Sequence, residues 1–234
     1  MSRRLVGWWR GGVLVACLLL VTGCSARMLH RPTSPTIDRL ITRMWVAEMR
    51  THLRHGDWIL ARSYSGTGDI IARFTGGVDL SHSVMWDAQR EVVIESIQPI
   101  TREISLESLV HRNHYLYIVR PAYLNDRDRE VSVARARTML GSGYDFVGLL
   151  IGIRDSRKTY CSLLLFWASD MASRNIEEPI VVAPSDLLLL GETVYFSGVR
   201  TSADVIAMAE EFLRAERRPQ HAAASAVTAT SPRQ

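Results

Sequence analysis

Residues 82–95, with the sequence HSVMWDAQREVVIE, contain two β-rich segments separated by the turn-like residues DAQR at 87–90. This pattern predicts an antiparallel hairpin with DAQR as its loop. In that register His82 lies directly opposite Glu95. Directly opposed side chains point to the same face of a sheet, with Cβ atoms about 5 Å apart. The hairpin therefore predicts that a histidine and a carboxylate are neighbours.

A carboxylate next to a histidine can accept the imidazole N–H, fix its tautomer and stabilise its protonated form. The same pair also occurs on exposed sheet edges, where it carries no chemistry. A register slip of one residue would move the two side chains to opposite faces. The pairing of His82 with Glu95 is therefore a testable part of the prediction.

A second informative stretch is CSLLLFWASDMA at 161–172, which is apolar almost all round and predicts a buried helix. Cys161 begins it. At a helix N-terminus, unpaired backbone N–H groups and the macrodipole favour a thiolate and can face an oxyanion. Together with His82 and Glu95, Cys161 suggests a Cys-His-Glu triad. The alternative is that Cys161 is an inert, buried apolar residue.

The remaining patterns place strands early in the chain, with helices before and after them, which predicts an α+β domain with an antiparallel sheet packed against helices. The predicted elements are a helix at 37–54 capped by Thr36, strands at 58–61, 115–120 and 193–199, a helix capped by Asn125 or Asp126 and ending at Leu140, and a helix at 203–216.

The composition excludes several classes of protein. The chain has 234 residues, of which 47% are apolar, and a formal net charge of +4. Three arginines near the start account for three of these charges, so a basic nucleic-acid-binding surface is not supported. The longest apolar run, Val13 to Val21, is too short for a spanning helix, which needs about 20 residues, and a polytopic membrane protein is excluded.

The N-terminus predicts a secretory signal peptide at 1–23, because positive charges precede a short apolar run. Its end, VTGC at 21–24, resembles the bacterial lipobox, which implies that Cys24 becomes the lipidated first residue. The alternatives are an uncleaved signal anchor and a cysteine that stands there by chance. Ser25 stands where an inner-membrane retention signal would place Asp, so the resemblance implies an outer-membrane lipoprotein facing the periplasm.

The rest of the chain divides into a lipidated tether at 24–36, a catalytic domain at 37–216 and a disordered tail at 217–234. With Cys17 in the leader and Cys24 lipidated, Cys161 is the one thiol expected in the mature chain, and no intramolecular disulfide is possible. The pair His111-x-x-His114 lacks a cysteine or carboxylate partner, so we predict no metal and no cofactor.

A series of motifs resembles the YiiX/YaeF-like permuted papain-like amidases, relatives of the NlpC-type cell-wall peptidases. The SH and YCS motifs are the most informative. The motifs are Gly56-Asp57-Trp58-Ile59-Leu60, Phe74-Thr75-Gly76-Gly77, Ser81-His82-Ser83-Val84, Val93-Ile94-Glu95-Ser96, Gly143-Tyr144-Asp145, Tyr160-Cys161-Ser162 and Pro184-Ser185-Asp186-Leu187.

This resemblance implies a circularly permuted papain-like (NlpC-type) fold in which Cys161 is the nucleophile, His82 the base and Glu95 the orienting group. Tyr144 is a candidate substrate-binding residue; a half-buried core tyrosine, followed by Asp145 as a helix cap, is the alternative. After Cys161-Ser162 the family usually has a pair such as Glu-Leu, whereas this chain has Leu163-Leu164. That departure concerns substrate contacts more than the reaction.

The expected function is that of a membrane-anchored cysteine hydrolase that cleaves an amide bond through a thioester. A cell-wall peptide, an acylated amino acid and a lipid amide all remain open as substrates, and no nucleic acid is expected as a partner. Two other functions remain open: a lipid acyltransferase or esterase of the lecithin retinol acyltransferase type, and a non-catalytic envelope-binding lipoprotein.

Overall fold

The structure is a computed structural model and describes residues 29–65, 68–69, 71–72 and 78–229. The predicted signal peptide, the lipobox with Cys24 and the motif Phe74-Thr75-Gly76-Gly77 lie outside the described residues. The elements in chain order are α1 (Pro35–His52), β1 (Trp58–Ser63), β2 (His82–Asp87), β3 (Val92–Ile97), β4 (Ile100–Ser105), α2 (Leu106–His111), β5 (Asn113–Pro121), α3 (Asp126–Thr138), β6 (Gly143–Tyr144), α4 (Phe146–Ile151), β7 (Lys158–Thr159), α5 (Cys161–Ala168), a 3₁₀ turn (Ala172–Arg174), α6 (Pro184–Leu188), β8 (Gly191–Phe196) and α7 (Ala203–Ala229).

The centre of the domain is an eight-stranded sheet in the order β7-β6-β4-β3-β2-β1-β5-β8. Neighbouring strands are antiparallel except β6 and β7. Since successive side chains of a strand point to opposite faces, Trp58 and Leu60 of β1 enter a core with α3 and α5. Ile59 and Ala61 enter a second core with α1, α2 and α7. The predicted α+β class, with an antiparallel sheet packed against helices, is confirmed.

The β2–β3 hairpin forms, but its register differs from the predicted one by two residues. Asp87 pairs with Val92, so the loop is 88–91 rather than 87–90. The prediction that His82 lies directly opposite Glu95 is therefore wrong. A shift of two residues keeps every side chain on its own face, whereas a shift of one would not. His82 and Glu95 are diagonal neighbours on one face, within reach of long side chains.

The loop begins later than predicted because Asp87 belongs to the strand and initiates the turn with its side chain. Its Oδ1 accepts hydrogen bonds from the backbone N–H groups of Gln89 and Arg90, at 3.1 and 3.3 Å. Glu91 has a φ of 53°, in the left-handed region, so it ends the turn rather than beginning β3.

Helix α5 begins at Cys161, as the sequence predicts, and ends at Ala168, four residues before the predicted end. The first helix begins at Pro35, with Ser34 rather than Thr36 as its N-cap. Asn125 caps α3 in a reciprocal capping box, which confirms one of the two predicted caps.

The last helix runs to Ala229, whereas the sequence analysis ends it at 216 and begins a disordered tail at 217. The segment after residue 220 is rich in alanine, which has the highest intrinsic helix propensity. None of the helices within the described residues combines the length and the apolar character that crossing a bilayer requires.

Candidate active site

Cys161 is the first residue of α5, and several contacts fix its position. The preceding residue, Tyr160, is a buried N-cap whose hydroxyl accepts a hydrogen bond from the backbone N–H of Val182 at 3.0 Å. Ser162, the next residue, donates its hydroxyl to the Val182 carbonyl at 2.7 Å. On the other side, the Ser96 hydroxyl donates to the Thr159 carbonyl at 2.9 Å. The start of the helix is therefore held on both sides.

His82 begins β2, and a direct hydrogen bond joins it to Glu95 on β3. The distance from His82 Nε2 to Glu95 Oε2 is 2.9 Å. His82 is 7% exposed and Glu95 is fully buried. Since Nε2 faces the carboxylate, Nδ1 is the ring nitrogen left to exchange a proton with another group. The predicted contact between these residues is present although the predicted register is wrong.

Two arginines share the same carboxylate. Arg102 Nε donates to Glu95 Oε1 at 2.9 Å, and Arg112 Nη2 donates to Oε2 at 2.7 Å. Burial by itself raises the pKa of Glu95, but the hydrogen bonds and charges of His82 and Arg112 outweigh it and lower the pKa to about 2. Glu95 is thus an ionised carboxylate at neutral pH.

The electrostatics couple Cys161 to His82. Burial lowers the pKa of His82, but its interactions with Cys161 and Glu95 outweigh burial and raise that pKa to about 9. Burial raises the pKa of the Cys161 thiol, yet His82, Ser83 and Ser162 together bring it below its ordinary value. The two shifts have the same meaning: the site favours a thiolate next to an imidazolium.

Ser83 contributes to this environment through its hydroxyl. The Ser83 Oγ is buried and has no hydrogen-bond partner among the described residues apart from the Cys161 sulfur. Its interaction with the sulfur is one of the causes that lower the pKa of Cys161. Because neighbouring residues of a strand face opposite sides, Ser83 approaches α5 from the side of the sheet on which that helix packs.

Cys161 and His82 line one cavity of about 230 Å³. Tyr144 lines it as well, and burial raises its pKa. The helix cap predicted at Asp145 is present: Asp145 caps α4 by accepting a hydrogen bond from the backbone N–H of Gly148 at 2.9 Å. Glu95 does not line the cavity and lies behind His82. A larger cavity, of about 400 Å³, is lined by Leu163 and Trp167 but not by Cys161 or His82.

The two histidines of the His111-x-x-His114 pair lie in different elements. His111 ends α2, and His114 lies in β5, where its Nδ1 is 3.1 Å from the Tyr64 hydroxyl. Within residues 29–65, 68–69, 71–72 and 78–229, no three His, Cys, Asp or Glu side chains are grouped so that they could hold a metal ion.

Sequence reasoning missed Arg102, Arg112 and Ser83. A signal for Arg102 was available, because a tight turn at Gln98-Pro99 between two strands places Glu95 directly opposite Arg102, as the structure has it. Arg112 has no such signal: it reaches Glu95 through the packing of α2 and the start of β5 beside the sheet.

The chain thus combines a helix-borne cysteine with a strand-borne histidine and a buried glutamate, in an α+β domain. No family model matches the chain, and no curated protein matches its sequence. Among solved structures, it is similar to the crystal structure of the metalloprotein YiiX from Escherichia coli O157:H7. The identity is 15% and the TM-score 0.48, and the similarity covers 62% of this chain and 96% of the YiiX chain.

Proposed function

We propose that the protein is a cysteine hydrolase that cleaves an amide bond, and that it belongs to the permuted papain-like amidases. One observation carries the proposal. Cys161, at the start of a helix, shares a cavity with His82, and a buried Glu95 holds the other side of that imidazole at 2.9 Å. A structural cysteine needs neither partner, whereas a triad uses a base to activate the thiol and a third group to orient that base.

In the first half of the reaction, the Cys161 sulfur attacks the carbonyl carbon of the amide. His82 carries the thiol proton and gives it to the nitrogen of the leaving amine, so that the C–N bond breaks as the thioester forms. Glu95 stays ionised and stabilises the imidazolium.

In the second half, water attacks the thioester carbonyl while His82 removes its proton. The C–S bond then breaks, the carboxylic acid leaves and the thiol is restored. The first turn of α5 supplies donors for the oxyanion in both halves, since its N-cap Tyr160 makes no side-chain capping bond to those backbone N–H groups.

The test is a product screen by mass spectrometry on peptidoglycan fragments and on N-acyl amino acids. The wild-type domain should release an amine and an acid from one substrate class, and Cys161→Ala should release neither. His82→Ala should lose at least about a hundredfold in kcat, the usual size of a general acid–base contribution.

His114 offers a matched control, because it is also a buried histidine on a strand but does not line the cavity. His114→Ala should therefore keep kcat within a few-fold of wild type. Adding a primary amine to the reaction separates hydrolysis from acyl transfer: an amide of that amine as the main product would mean that the protein is an acyltransferase. No product from any amide would contradict the proposal.

We further propose that Cys24 is lipidated and anchors the domain to the outer membrane, facing the periplasm. The support is the sequence VTGC at 21–24 followed by Ser25. Cys24→Ala should abolish labelling by a fatty-acid probe and leave the precursor unprocessed. Cys17→Ala, within the predicted signal peptide, should leave labelling and processing unchanged. Labelled Cys24→Ala protein would refute the anchor.

A further inference from the structure

The charges around Glu95 do not balance. Arg102 and Arg112 each form an ion pair with this one carboxylate, and neither has another acidic partner among the described residues. Two guanidinium charges therefore face one carboxylate charge. A thiolate on Cys161 and an imidazolium on His82 cancel each other, so the cluster keeps one surplus positive charge.

Arg112 brings that surplus into the catalytic cavity. It lines the cavity together with Cys161 and His82, and 30% of its side chain is exposed. Its Nη2 donates to Glu95, while its Nε has no acceptor among the described residues. A guanidinium has five N–H donors, so several remain for a ligand.

The other described residues that line the cavity leave this charge uncompensated. They include serines, Gln98, Asn113 and Tyr144, and no aspartate or glutamate. Arg102 donates to the same carboxylate but does not line the cavity. Both arginines therefore donate to Glu95, but Arg112 lines the cavity and Arg102 does not.

We propose that Arg112 is a substrate-binding residue that pairs with a carboxylate carried by the substrate close to the scissile amide. The inference rests on the proposed function and narrows its substrate class to acidic amides, such as an N-acyl amino acid or a peptide with a carboxylate beside the cleaved bond. A guanidinium suits this ligand because its planar fork of N–H groups matches the two oxygens of a carboxylate. A neutral lipid amide lacks the group that Arg112 would bind.

The competing explanation is that Arg112 acts only by holding Glu95. Arg112→Gln and Arg102→Gln separate the two, because each removes one positive charge and one hydrogen bond from the same carboxylate. A purely positioning role predicts that each substitution changes the reactions with an acidic and with a neutral reagent by the same factor. A substrate-binding role predicts that Arg112→Gln alone changes how the site treats an acidic reagent relative to a neutral one.

The experiment compares alkylation of Cys161 by iodoacetate and by iodoacetamide, which differ by a carboxylate against a carboxamide. Both are measured in a protein that lacks residues 1–24, in which Cys161 is the one thiol. Arg112→Gln should lower the ratio of the two rates about tenfold, equivalent to about 1.4 kcal/mol. Arg102→Gln should lower it less than about threefold. Equal effects of the two substitutions, or an unchanged ratio in Arg112→Gln, would overturn the proposal.

A second measurement needs no variant. Sodium acetate should slow the reaction of wild-type Cys161 with iodoacetamide more than sodium chloride of the same ionic strength does, and acetamide should not slow it. Equal effects of acetate and chloride would overturn the carboxylate site and leave the hydrolase proposal standing. A Cys161 that reacts with neither reagent in the folded protein would overturn both.

Discussion

Glu95→Gln tests the electrostatic arrangement of the site, because it keeps the shape of the side chain and removes its charge. The carboxylate is fully buried and accepts hydrogen bonds from His82, Arg102 and Arg112. A pKa lowered from 4.5 to about 2 corresponds to about 3 kcal/mol of stability at neutral pH, at about 1.4 kcal/mol per pH unit. Glu95→Gln should lose about that much.

The pH dependence gives this prediction its sign. A carboxylate whose pKa is lower in the folded than in the unfolded state stabilises the fold above the unfolded pKa, and this stabilisation disappears as the pH falls through the folded pKa. The difference in unfolding free energy between wild type and Glu95→Gln should therefore be about 3 kcal/mol at pH 5 and about half of that at pH 3. Below the folded pKa the two proteins should converge.

Urea unfolding at pH 5 and pH 3 measures this difference. Glu103→Gln is the matched control, since Glu103 lies on β4, the strand that pairs with that of Glu95, forms an ion pair with Arg137 and is one-third exposed. Its substitution should cost less than about 1 kcal/mol. A Glu95→Gln effect as small as that of the control, or one that does not change between the two pH values, would refute the assignment of Glu95 as a buried, ionised anchor.

Three further outcomes are expected. His82→Ala should slow the reaction of Cys161 with iodoacetamide at pH 6 by about tenfold or more, because the thiol loses the partner that lowers its pKa. His114→Ala should leave the rate unchanged. Equal rates in wild type and both variants would contradict the ion pair. The pH profile of kcat/KM should have an alkaline limb near pH 9, where His82 loses its proton, and an acidic limb where the thiolate is protonated. An alkaline limb below pH 7 would be inconsistent with the raised pKa of His82. Arg200 is fully buried and ion-paired with Asp38 at 2.9 Å, so Arg200→Ala should lower the unfolding free energy by about 3–5 kcal/mol, measured by urea unfolding. A loss below about 1 kcal/mol would mean that the pair contributes little.

The contact between His82 and Glu95 was predicted from the sequence although the predicted strand register is wrong. Alternation along a strand depends only on whether a register shift is odd or even, and the actual shift is two residues. The loop position depends on the side chain of Asp87 and on the left-handed φ of Glu91, which the apolar pattern does not encode.

Helix α5 was predictable at its start and less so at its end. A run that is apolar on every side indicates burial, and Cys161 follows directly on a polar stretch. Strand β4 was not predicted, because ITREIS has only a short apolar alternation and lies at an exposed part of the sheet. Because β4 was not predicted, the position of Arg102 opposite Glu95 was missed.

The cavity itself could not be predicted from patterns. Its walls come from β1, β2, β3, β5, β6 and α5, and their convergence is a property of the tertiary packing. Arg112 reaches the cavity only through that convergence, and no local signal distinguishes it from a surface residue.

The order of the elements along the chain has a consequence for when the thiol becomes reactive. His82 and Glu95 lie on adjacent strands of one hairpin and can meet early, since closing a short loop costs little entropy. Cys161 lies far later in the chain, and its helix must pack on β1, β2 and β3. Until then Cys161 lacks the contacts with His82, Ser83 and Ser162 that lower its pKa, so those contacts form only when the last third of the chain is in place.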